Sequence, residues 1–295
     1  MALAAACAAA LPGCMPGGPP KPVQAFAGRP PPEFHTYPLP DGRKIFAAET
    51  GNPAGPLVLF IHGTPGGWHD FAKVMARPDL AAATWMIAVD RPGWGGSAAG
   101  GLEPSLAAQA AALRAVLEAH PKNLPAIVVG WSLGGPIAVR VAMDSPELVD
   151  ALVIVAGSID PAQEKVLWYQ FIARLPGMYF FIPKMLVHAD LEIIPLKGEL
   201  VEMLPRWGEI KIPVTVIQGE NDDLVPPENA DFAERELTHA QLTVVRVPNQ
   251  GHLIPWQRPE LMAQAILGYA AKWKPAANAD STVTNSSALA PKATP

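Results

Sequence analysis

A serine stands between glycines at positions 130–134, in the sequence Gly-Trp-Ser-Leu-Gly, and the residues around it favour nucleophilic chemistry. This residue, Ser132, follows an apolar run at 126–129 and precedes a helix-like stretch at 136–143. A strand, this pentapeptide and a helix in that order predict a sharp turn that exposes the serine hydroxyl to a substrate. The alternative is a glycine-rich turn whose serine only caps the following helix, because serine is a favoured N-cap residue.

A serine hydroxyl needs a base to remove its proton and a third group to orient that base. His252, which follows Gly251, lies in a loop-like stretch after the last strand-like run and is the base candidate. Four other histidines lie in a strand-like run, at a helix end, in a long insertion and before the last strand-like run: His35, His120, His188 and His239. Three carboxylates in the stretch 219–226 are available to orient the imidazole: Glu220, Asp222 and Asp223.

Two further loop sequences follow strand-like runs. His-Gly-Thr-Pro-Gly-Gly occupies 62–67, and Asp-Arg-Pro-Gly-Trp-Gly-Gly-Ser occupies 90–97. Ser97 is not a second nucleophile candidate, because Ala99 stands where the motif needs its second glycine. The order of these motifs along the chain resembles that of the α/β-hydrolase family, whose triad runs nucleophile, acid, histidine. The likeness covers roughly residues 34–273.

The resemblance implies Ser132 as the nucleophile, His252 as the base and Asp222 as the orienting acid. It selects Asp222 because the acid in the family pattern precedes a residue pair and a Val-Pro, as it does here. Asp223 is the next choice. Some family members instead take the acid from the end of the sixth strand, where this chain has Asp160.

Attack on an ester carbonyl creates a tetrahedral oxyanion, which preorganised N–H donors must stabilise. The resemblance implies the backbone N–H groups of Leu133 and Thr64 as these donors, and a helix dipole assists the first of them. It also implies that the loop at 90–97 shapes the site without doing chemistry. Candidates for the entrance of a substrate pocket are Trp68, His69 and Trp131.

Continuous apolar runs without polar alternation predict the strands that must position these loops, buried on both faces of a parallel sheet. They lie at 57–61, 85–89, 126–129, 152–155, 214–217 and 242–247. Helical patterns lie between them at 104–119, 137–143, 229–237 and 259–272. A Pro-Asp-Gly turn between 34–39 and 43–49 predicts an N-terminal antiparallel hairpin. The alternation predicts a doubly wound α/β fold with a mostly parallel sheet.

The predicted core comprises 34–157 and 213–274, with a helical cap at 158–212 inserted after the sixth strand. The ordinary interpretation of the large apolar side chains in this insertion is that they pack as a core of their own. The resemblance places the cap over the active site, so some of them are expected to line an acyl or alcohol pocket. They are Leu167, Trp168, Tyr169, Phe171, Ile172, Met178, Tyr179, Phe180, Phe181 and Trp207.

Composition excludes several classes of function. The 295-residue chain is 49% hydrophobic and carries a net charge of -5, so it has material for a large core and no basic stripe for nucleic acid. Its two cysteines, Cys7 and Cys14, both precede the folded body, which leaves that body without a disulfide or a cysteine-based metal site. The scattered histidines lack ligand spacing, so neither a metal nor another cofactor is expected.

The two ends of the chain differ from the body. Residues 1–33 comprise an apolar, signal-like segment and a Pro-rich linker, and 11–14 resembles a bacterial lipobox that would leave Cys14 lipidated in the cell envelope. The absence of Lys or Arg before the apolar run, and Pro12 within the motif, count against export. The alternative is a disordered extension, or a wrongly chosen start codon, on a cytoplasmic protein. Residues 275–295 have the composition of a disordered tail.

The sequence therefore predicts a serine hydrolase that cleaves carboxylic esters of small to medium acyl substrates through an acyl-enzyme. Dehalogenases and epoxide hydrolases of this fold use Asp at the turn, so Ser132 argues against both; thioesters and lactones stay open. One alternative is a proline iminopeptidase-like aminopeptidase, because 62–67 resembles the glycine-rich loop of those enzymes. It requires a cap carboxylate for the substrate amine, for which the candidates are Glu192, Glu199 and Glu202. Another alternative is a non-catalytic binding protein on the same fold.

Overall fold

A computed structural model describes residues 22–121, 124–164 and 182–273 of the chain. Eight strands form one sheet in the order β1-β2-β4-β3-β5-β6-β7-β8. The first hairpin and the β2–β4 pair are antiparallel, and every other neighbouring pair is parallel. The strands are β1 Glu33–Pro38, β2 Lys44–Gly51, β3 Leu57–Ile61, β4 Trp85–Val89, β5 Ala126–Trp131, β6 Ala151–Val155, β7 Val214–Gly219 and β8 Leu242–Val247.

Helices connect the strands and cover both faces of the sheet. They are α1 Pro22–Ala25, α2 Ala72–Met75, α3 Pro78–Ala83, α4 Leu106–Glu118, α5 Gly134–Asp144, α6 Lys184–Met203, α7 Glu228–Glu236, α8 Ile254–Gln257 and α9 Pro259–Ala270. Short 3₁₀ turns occupy Trp68–Phe71, Gly95–Gly100, Pro146–Leu148 and Leu204–Glu209. The predicted α/β class with a doubly wound, mostly parallel sheet is confirmed.

The central strands are buried because both of their faces meet helices. Every residue of β3, β5 and β6 is buried. Alternate residues of β3 enter two separate core clusters: Leu57, Leu59 and Ile61 pack in one, and Val58 and Phe60 in the other. This two-sided burial explains why these strands appear in the sequence as unbroken apolar runs.

The last strand differs from its prediction. The run at 242–247 predicts burial on both faces, but β8 is an edge strand of the sheet and most of its residues are only half-buried. Arg246 on this strand pairs with Asp231 and Glu234 of α7, so its outer side is charged. The run has the composition of a buried strand, but composition does not reveal a strand's place in the sheet.

The strand order reverses at β3, which pairs with β4 on one side and β5 on the other. The loops after β3 and β5 therefore diverge at the carboxyl ends of neighbouring strands. In open α/β sheets a crevice at such a switch point is where ligands bind. The loop at 62–67 and Ser132 both lie at this point.

Helix α6 and the turn Leu204–Glu209 lie between β6 and β7, within the predicted cap. Trp207 in that turn is buried and packs edge-on against Phe232 of α7, so it belongs to the core. Other predicted features lie outside the described residues, namely Cys7, Cys14, the tail at 275–295 and Leu167, Trp168, Tyr169, Phe171, Ile172, Met178, Tyr179, Phe180 and Phe181. In the described parts of the chain, no helix is long and apolar enough to cross a membrane.

Candidate active site

Ser132 occupies a strained turn between β5 and α5. Its φ of 56° lies in the left-handed region, which non-glycine residues seldom adopt outside functional sites. The turn needs glycine at 134, because a Cβ there would lie 2.1 Å from the Ile61 carbonyl oxygen. The loop after β3 presses equally closely, since a Cβ on Gly63 would lie 2.7 Å from the Ser132 Cβ. The serine is thus fixed between the ends of β3 and β5.

His252 and Asp222 are brought together from loops thirty residues apart. The His252 Nδ1 lies 2.8 Å from Asp222 Oδ2. The other carboxylate oxygen accepts the backbone N–H groups of Leu224 and Val225, both at 2.9 Å. Because an ionised carboxylate only accepts hydrogen bonds, Nδ1 carries the proton and Nε2 is left with a free lone pair. The pair can therefore supply an oriented base.

The imidazole lies beside the Ser132 turn. Trp131, the residue before the serine, donates its Nε1 proton to the His252 carbonyl at 3.1 Å, and the two rings lie 5.4 Å apart. Among the described residues, Ser132 Oγ itself makes no hydrogen bond to His252. Catalytic hydrogen bonds are often long in unliganded enzymes and tighten when substrate binds. The structure therefore places the histidine ring against the residue that precedes the serine, and it shows the acid–histidine bond.

The alternative acids occupy other positions. Asp160 is buried, and its Oδ1 accepts the Ala162 N–H at 2.8 Å while Asn229 holds its backbone N–H. Asp223 is exposed. Of the three candidates, Asp222 is the one that contacts the His252 imidazole.

The predicted oxyanion donors belong to the two segments that meet at this turn. Leu133 immediately precedes α5, and Thr64 follows Gly63, the residue of the loop after β3 that approaches Ser132. Within the part of the chain that the structure describes, neither backbone N–H has an acceptor. Two unbonded N–H groups near a serine can bind a developing oxyanion.

Buried carboxylates accept hydrogen bonds from the end of the loop at 62–67 and from the residue that follows it. Asp70 Oδ2 accepts the Gly67 N–H at 3.0 Å, and Asp90 Oδ1 accepts the Trp68 N–H at 2.8 Å. Burial raises the pKa of Asp70 to about 6 and also raises the pKa of Asp90. Burial, with the Arg91 charge beside it, holds the pKa of His62 well below its usual range.

Sequence reasoning missed the most buried ion pair of this region, between Arg91 and Glu192. Their side chains are 0% exposed, and Arg91 Nη1 lies 2.6 Å from Glu192 Oε1. A signal for it exists in the sequence, because Glu192 falls on the apolar face of α6 that Ala189 and Leu196 define. An acid on such a face predicts a buried cation opposite.

The same pair reduces the number of carboxylates that are free to bind a substrate amine. Glu192 is fully engaged by Arg91, and Glu199 accepts the Leu106 N–H and the Ser105 hydroxyl at the start of α4. Glu202 is exposed. Two of the three carboxylates predicted for an amine-binding site are therefore occupied by structural contacts.

The predicted pocket residues separate into two groups. Trp131 is only 4% exposed and packs between His252 and Trp256, so it supports the histidine loop and does not present its ring to solvent. Trp68 and His69 are half-buried beside the loop at 62–67, and Trp68 packs edge-on against exposed Phe34. In the described residues, no group of three or more potential metal-ligating side chains occurs.

Comparison with known proteins decides the family. Residues 58–265 match the sequence model of a family described as "Alpha/beta hydrolase family". The chain belongs to the α/β hydrolase family. The predicted family and enzyme class are therefore confirmed.

Relatives of this α/β hydrolase are distant. An uncharacterized hydrolase, YugF, of Bacillus subtilis (strain 168) is 24% identical, over 78% of this chain and 95% of that protein. A pimeloyl-[acyl-carrier protein] methyl ester esterase of Neisseria meningitidis serogroup B is 26% identical, over 64% and 83%. Haloalkane dehalogenase DbeA of Bradyrhizobium elkani USDA94 superposes with a TM-score of 0.64 at 20% identity, over 81% and 97%. That last likeness concerns the fold alone.

Proposed function

We propose that the protein hydrolyses carboxylic esters of small to medium acyl groups through an acyl-enzyme on Ser132. The observation that carries the proposal is the 2.8 Å bond from His252 Nδ1 to Asp222, formed beside a serine in a strained turn. That arrangement leaves His252 Nε2 free to accept a proton, on a loop that Trp131 ties to the Ser132 turn. A relative named as a methyl ester esterase supports an ester as the substrate.

In the first half-reaction, His252 Nε2 takes the Ser132 proton as Oγ bonds to the ester carbonyl carbon. The carbonyl oxygen becomes an oxyanion, held by the N–H groups of Thr64 and Leu133. The bond to the leaving alkoxide then breaks, and His252 returns the proton to it as an alcohol. Asp222 stabilises the imidazolium and holds its tautomer throughout.

In the second half-reaction, water takes the place of the alcohol. His252 accepts a proton from a water molecule as the water oxygen attacks the acyl carbonyl carbon. The same two N–H groups stabilise the second oxyanion. Collapse releases the carboxylic acid, and the proton returns to Ser132 Oγ. No cofactor takes part in either half.

The aminopeptidase alternative loses support because Glu192 and Glu199 already have structural partners. Glu202 is left as the exposed candidate for a substrate amine. A non-catalytic role would leave the strained Ser132 turn and the His252–Asp222 bond without a use.

A panel of p-nitrophenyl esters of rising acyl length, run beside aminoacyl p-nitroanilides, tests the proposal. Ester turnover with saturation at short to medium chains, and none of it in Ser132→Ala, is the expected result. Preferential cleavage of the amides would favour the peptidase. Equal rates in wild type and Ser132→Ala would remove the proposal altogether.

We also propose, from the sequence at 11–14 alone, that Cys14 carries a lipid that tethers the enzyme to a bacterial envelope. The mass of the N-terminal peptide from membrane fractions tests this. A diacylated Cys14 at the new N-terminus is expected, and an intact Met1 peptide in the soluble fraction would contradict it.

A further inference from the structure

The Arg91 guanidinium is buried beneath the loop at 62–67, and every one of its N–H groups has an acceptor. Its Nε donates to the His62 carbonyl at 2.9 Å, and one Nη2 proton goes to the Gly63 carbonyl at 2.8 Å. The remaining protons go to Gln109 and to both oxygens of Glu192. A guanidinium offers about five such donors in a rigid plane, so its position is fixed by the acceptors around it.

One of these acceptors belongs to the peptide group that carries a predicted oxyanion donor. The Gly63 carbonyl and the Thr64 N–H share a peptide unit, and cis peptide bonds in the described residues do not include it. In a trans peptide the C=O and N–H point in opposite directions. A donor that pins the Gly63 oxygen therefore also sets the direction of the Thr64 N–H.

His62 provides a second contact to the same oxygen. Its Nε2 lies 3.0 Å from the Arg91 backbone N–H, which can only donate, so Nε2 is the unprotonated nitrogen. Its Nδ1 therefore carries the proton and donates to the Gly63 carbonyl at 2.7 Å. Two donors, one of them cationic, polarise this peptide, and hydrogen bonds in such chains strengthen one another.

The counter-ion comes from the cap. Glu192 lies on α6, and its Oε1 accepts from Arg91 Nη1 at 2.6 Å and from Trp94 Nε1 at 3.0 Å. Gln109 of α4 lies between the two charges, with its Oε1 on Arg91 at 2.7 Å and its Nε2 3.3 Å from Glu192. Helix α6 is thereby tied to the loop after β3 by charged hydrogen bonds shielded from water.

We infer that Arg91 and Glu192 are positioning residues for oxyanion stabilisation: cap helix α6, through this ion pair, fixes and polarises the Gly63–Thr64 peptide. The inference rests on the proposed ester hydrolysis and names the part of the fold that tunes it. Correct seating of α6 is then a condition for full activity, although neither charged group touches the reacting atoms.

Arg91→Lys is the primary test variant. It keeps the positive charge opposite Glu192, but an ammonium lacks the planar fork that reaches both loop carbonyls and the carboxylate together. We expect kcat to fall about 10²-fold with KM nearly unchanged, because a misdirected donor is lost mainly in the transition state. The affinity for a trifluoromethyl ketone, whose hemiketal oxyanion occupies the same donors, should fall by a similar factor.

A second variant covers the case in which Arg91→Lys folds poorly. In Arg91→Met/Glu192→Leu both charges are replaced by apolar groups, an exchange that buried ion pairs often tolerate. Tyr37→Phe is the control, because its hydroxyl serves a buried contact to Glu49 in the first hairpin and none in the loop at 62–67. Thermal unfolding of all variants gives the folded fraction by which each kcat is corrected.

The outcomes separate the two proposals. Reduced kcat and reduced ketone affinity in both Arg91 variants, with unaltered values in Tyr37→Phe, would support the inference. Variants that lose thermal stability but keep wild-type kcat and ketone affinity per folded molecule would overturn it and leave ester hydrolysis standing. A wild-type protein that neither hydrolyses esters nor binds the ketone would overturn the proposed function and the inference with it.

Discussion

Two buried polar networks in this α/β hydrolase have similar chemistry and different surroundings. In the first hairpin, the Tyr37 hydroxyl donates to Glu49 and lies 3.3 Å from His120 Nε2, while His120 Nδ1 lies 2.6 Å from the Val116 carbonyl. At the carboxyl ends of β3 and β4, Arg91 joins Glu192 and the loop at 62–67. The first network links secondary-structure elements, and the second directs a loop that has free N–H groups.

The difference shows that burial of polar groups alone does not mark a functional site. The two networks differ in the groups on which they end. The hairpin network ends on a carbonyl of helix α4, whereas the second network ends on peptide groups of the loop that approaches the strained serine. We therefore expect substitutions of the proposed catalytic side chains, Ser132, His252 and Asp222, to change the rate at nearly constant stability. Substitutions in the hairpin should do the reverse.

The largest effect is expected for Ser132→Ala. Removal of the nucleophile should lower kcat on the order of 10⁶-fold, as triad deletions do in other serine hydrolases. Steady-state ester hydrolysis by freshly purified protein measures it, with thermal unfolding to verify that the fold is intact. Near-normal turnover by this variant is incompatible with the proposed nucleophile.

Asp222→Asn should follow, with a loss of about 10⁴ in kcat, because an amide can stabilise the wrong tautomer of His252 and cannot balance an imidazolium. The same kinetic assay measures it. Asp160→Asn is the matched control, because Asp160 makes no contact with His252 in the described structure. A larger loss for Asp160→Asn would transfer the role to that residue.

Acid should reduce the rate through His252, because a protonated imidazole cannot accept the Ser132 proton. On the acidic side of the profile, kcat/KM should fall about tenfold per pH unit. Asp70→Asn should retain this limb, which separates His252 from the carboxyl of Asp70. A profile without an acidic limb would contradict the role of His252 as base.

Asp70→Asn should alter stability in a pH-dependent way. Burial raises the pKa of Asp70 from 3.8 to about 6, so between these values the folded protein binds a proton that the unfolded chain has released. The wild type therefore loses stability as pH rises through this window, by up to about 3 kcal/mol. The asparagine variant, which can still accept the Gly67 N–H, should be the more stable protein at about pH 8 and equal to wild type near pH 4. Urea unfolding at both pH values tests this, and a pH-independent difference would refute the cause.

The smallest effect is expected for Tyr37→Phe, about 1–2 kcal/mol of stability for the lost hydrogen bond to buried Glu49. Its kcat should equal that of the wild type. Denaturant unfolding and ester kinetics on one preparation measure both. A loss of rate without a loss of stability would remove the distinction between the two networks.

Much of this architecture is predictable from the sequence, because a segment that is buried in the fold must itself consist of apolar residues. The run at 57–61 is apolar throughout since β3 meets helices on both faces, and its bounds agree with the strand. The turn at Ser132 is equally predictable, because a Cβ added at Gly130 or at Gly134 would lie only 2.1 Å from a backbone oxygen. In both cases the structural requirement, burial or close backbone approach, selects the type of the residues that meet it.

The remainder depends on which distant elements meet. Arg91 and Glu192 are separated by 101 positions, and their pairing depends on where α6 settles against the loop after β4. The orientation of Trp131 toward His252 depends on the loop after β8 in the same way. A contact between distant elements leaves only an indirect signal in the sequence, such as an acidic residue on the apolar face of a helix.

Reaction with a fluorophosphonate probe, followed by peptide mass spectrometry, examines the proposed nucleophile directly. Ser132 Oγ would bond to phosphorus as fluoride leaves and the proton passes to His252. We expect one adduct, on the peptide that contains Ser132, formed far more slowly in His252→Ala and absent in Ser132→Ala. An unlabelled wild-type protein, or an adduct that persists in Ser132→Ala, would contradict the account.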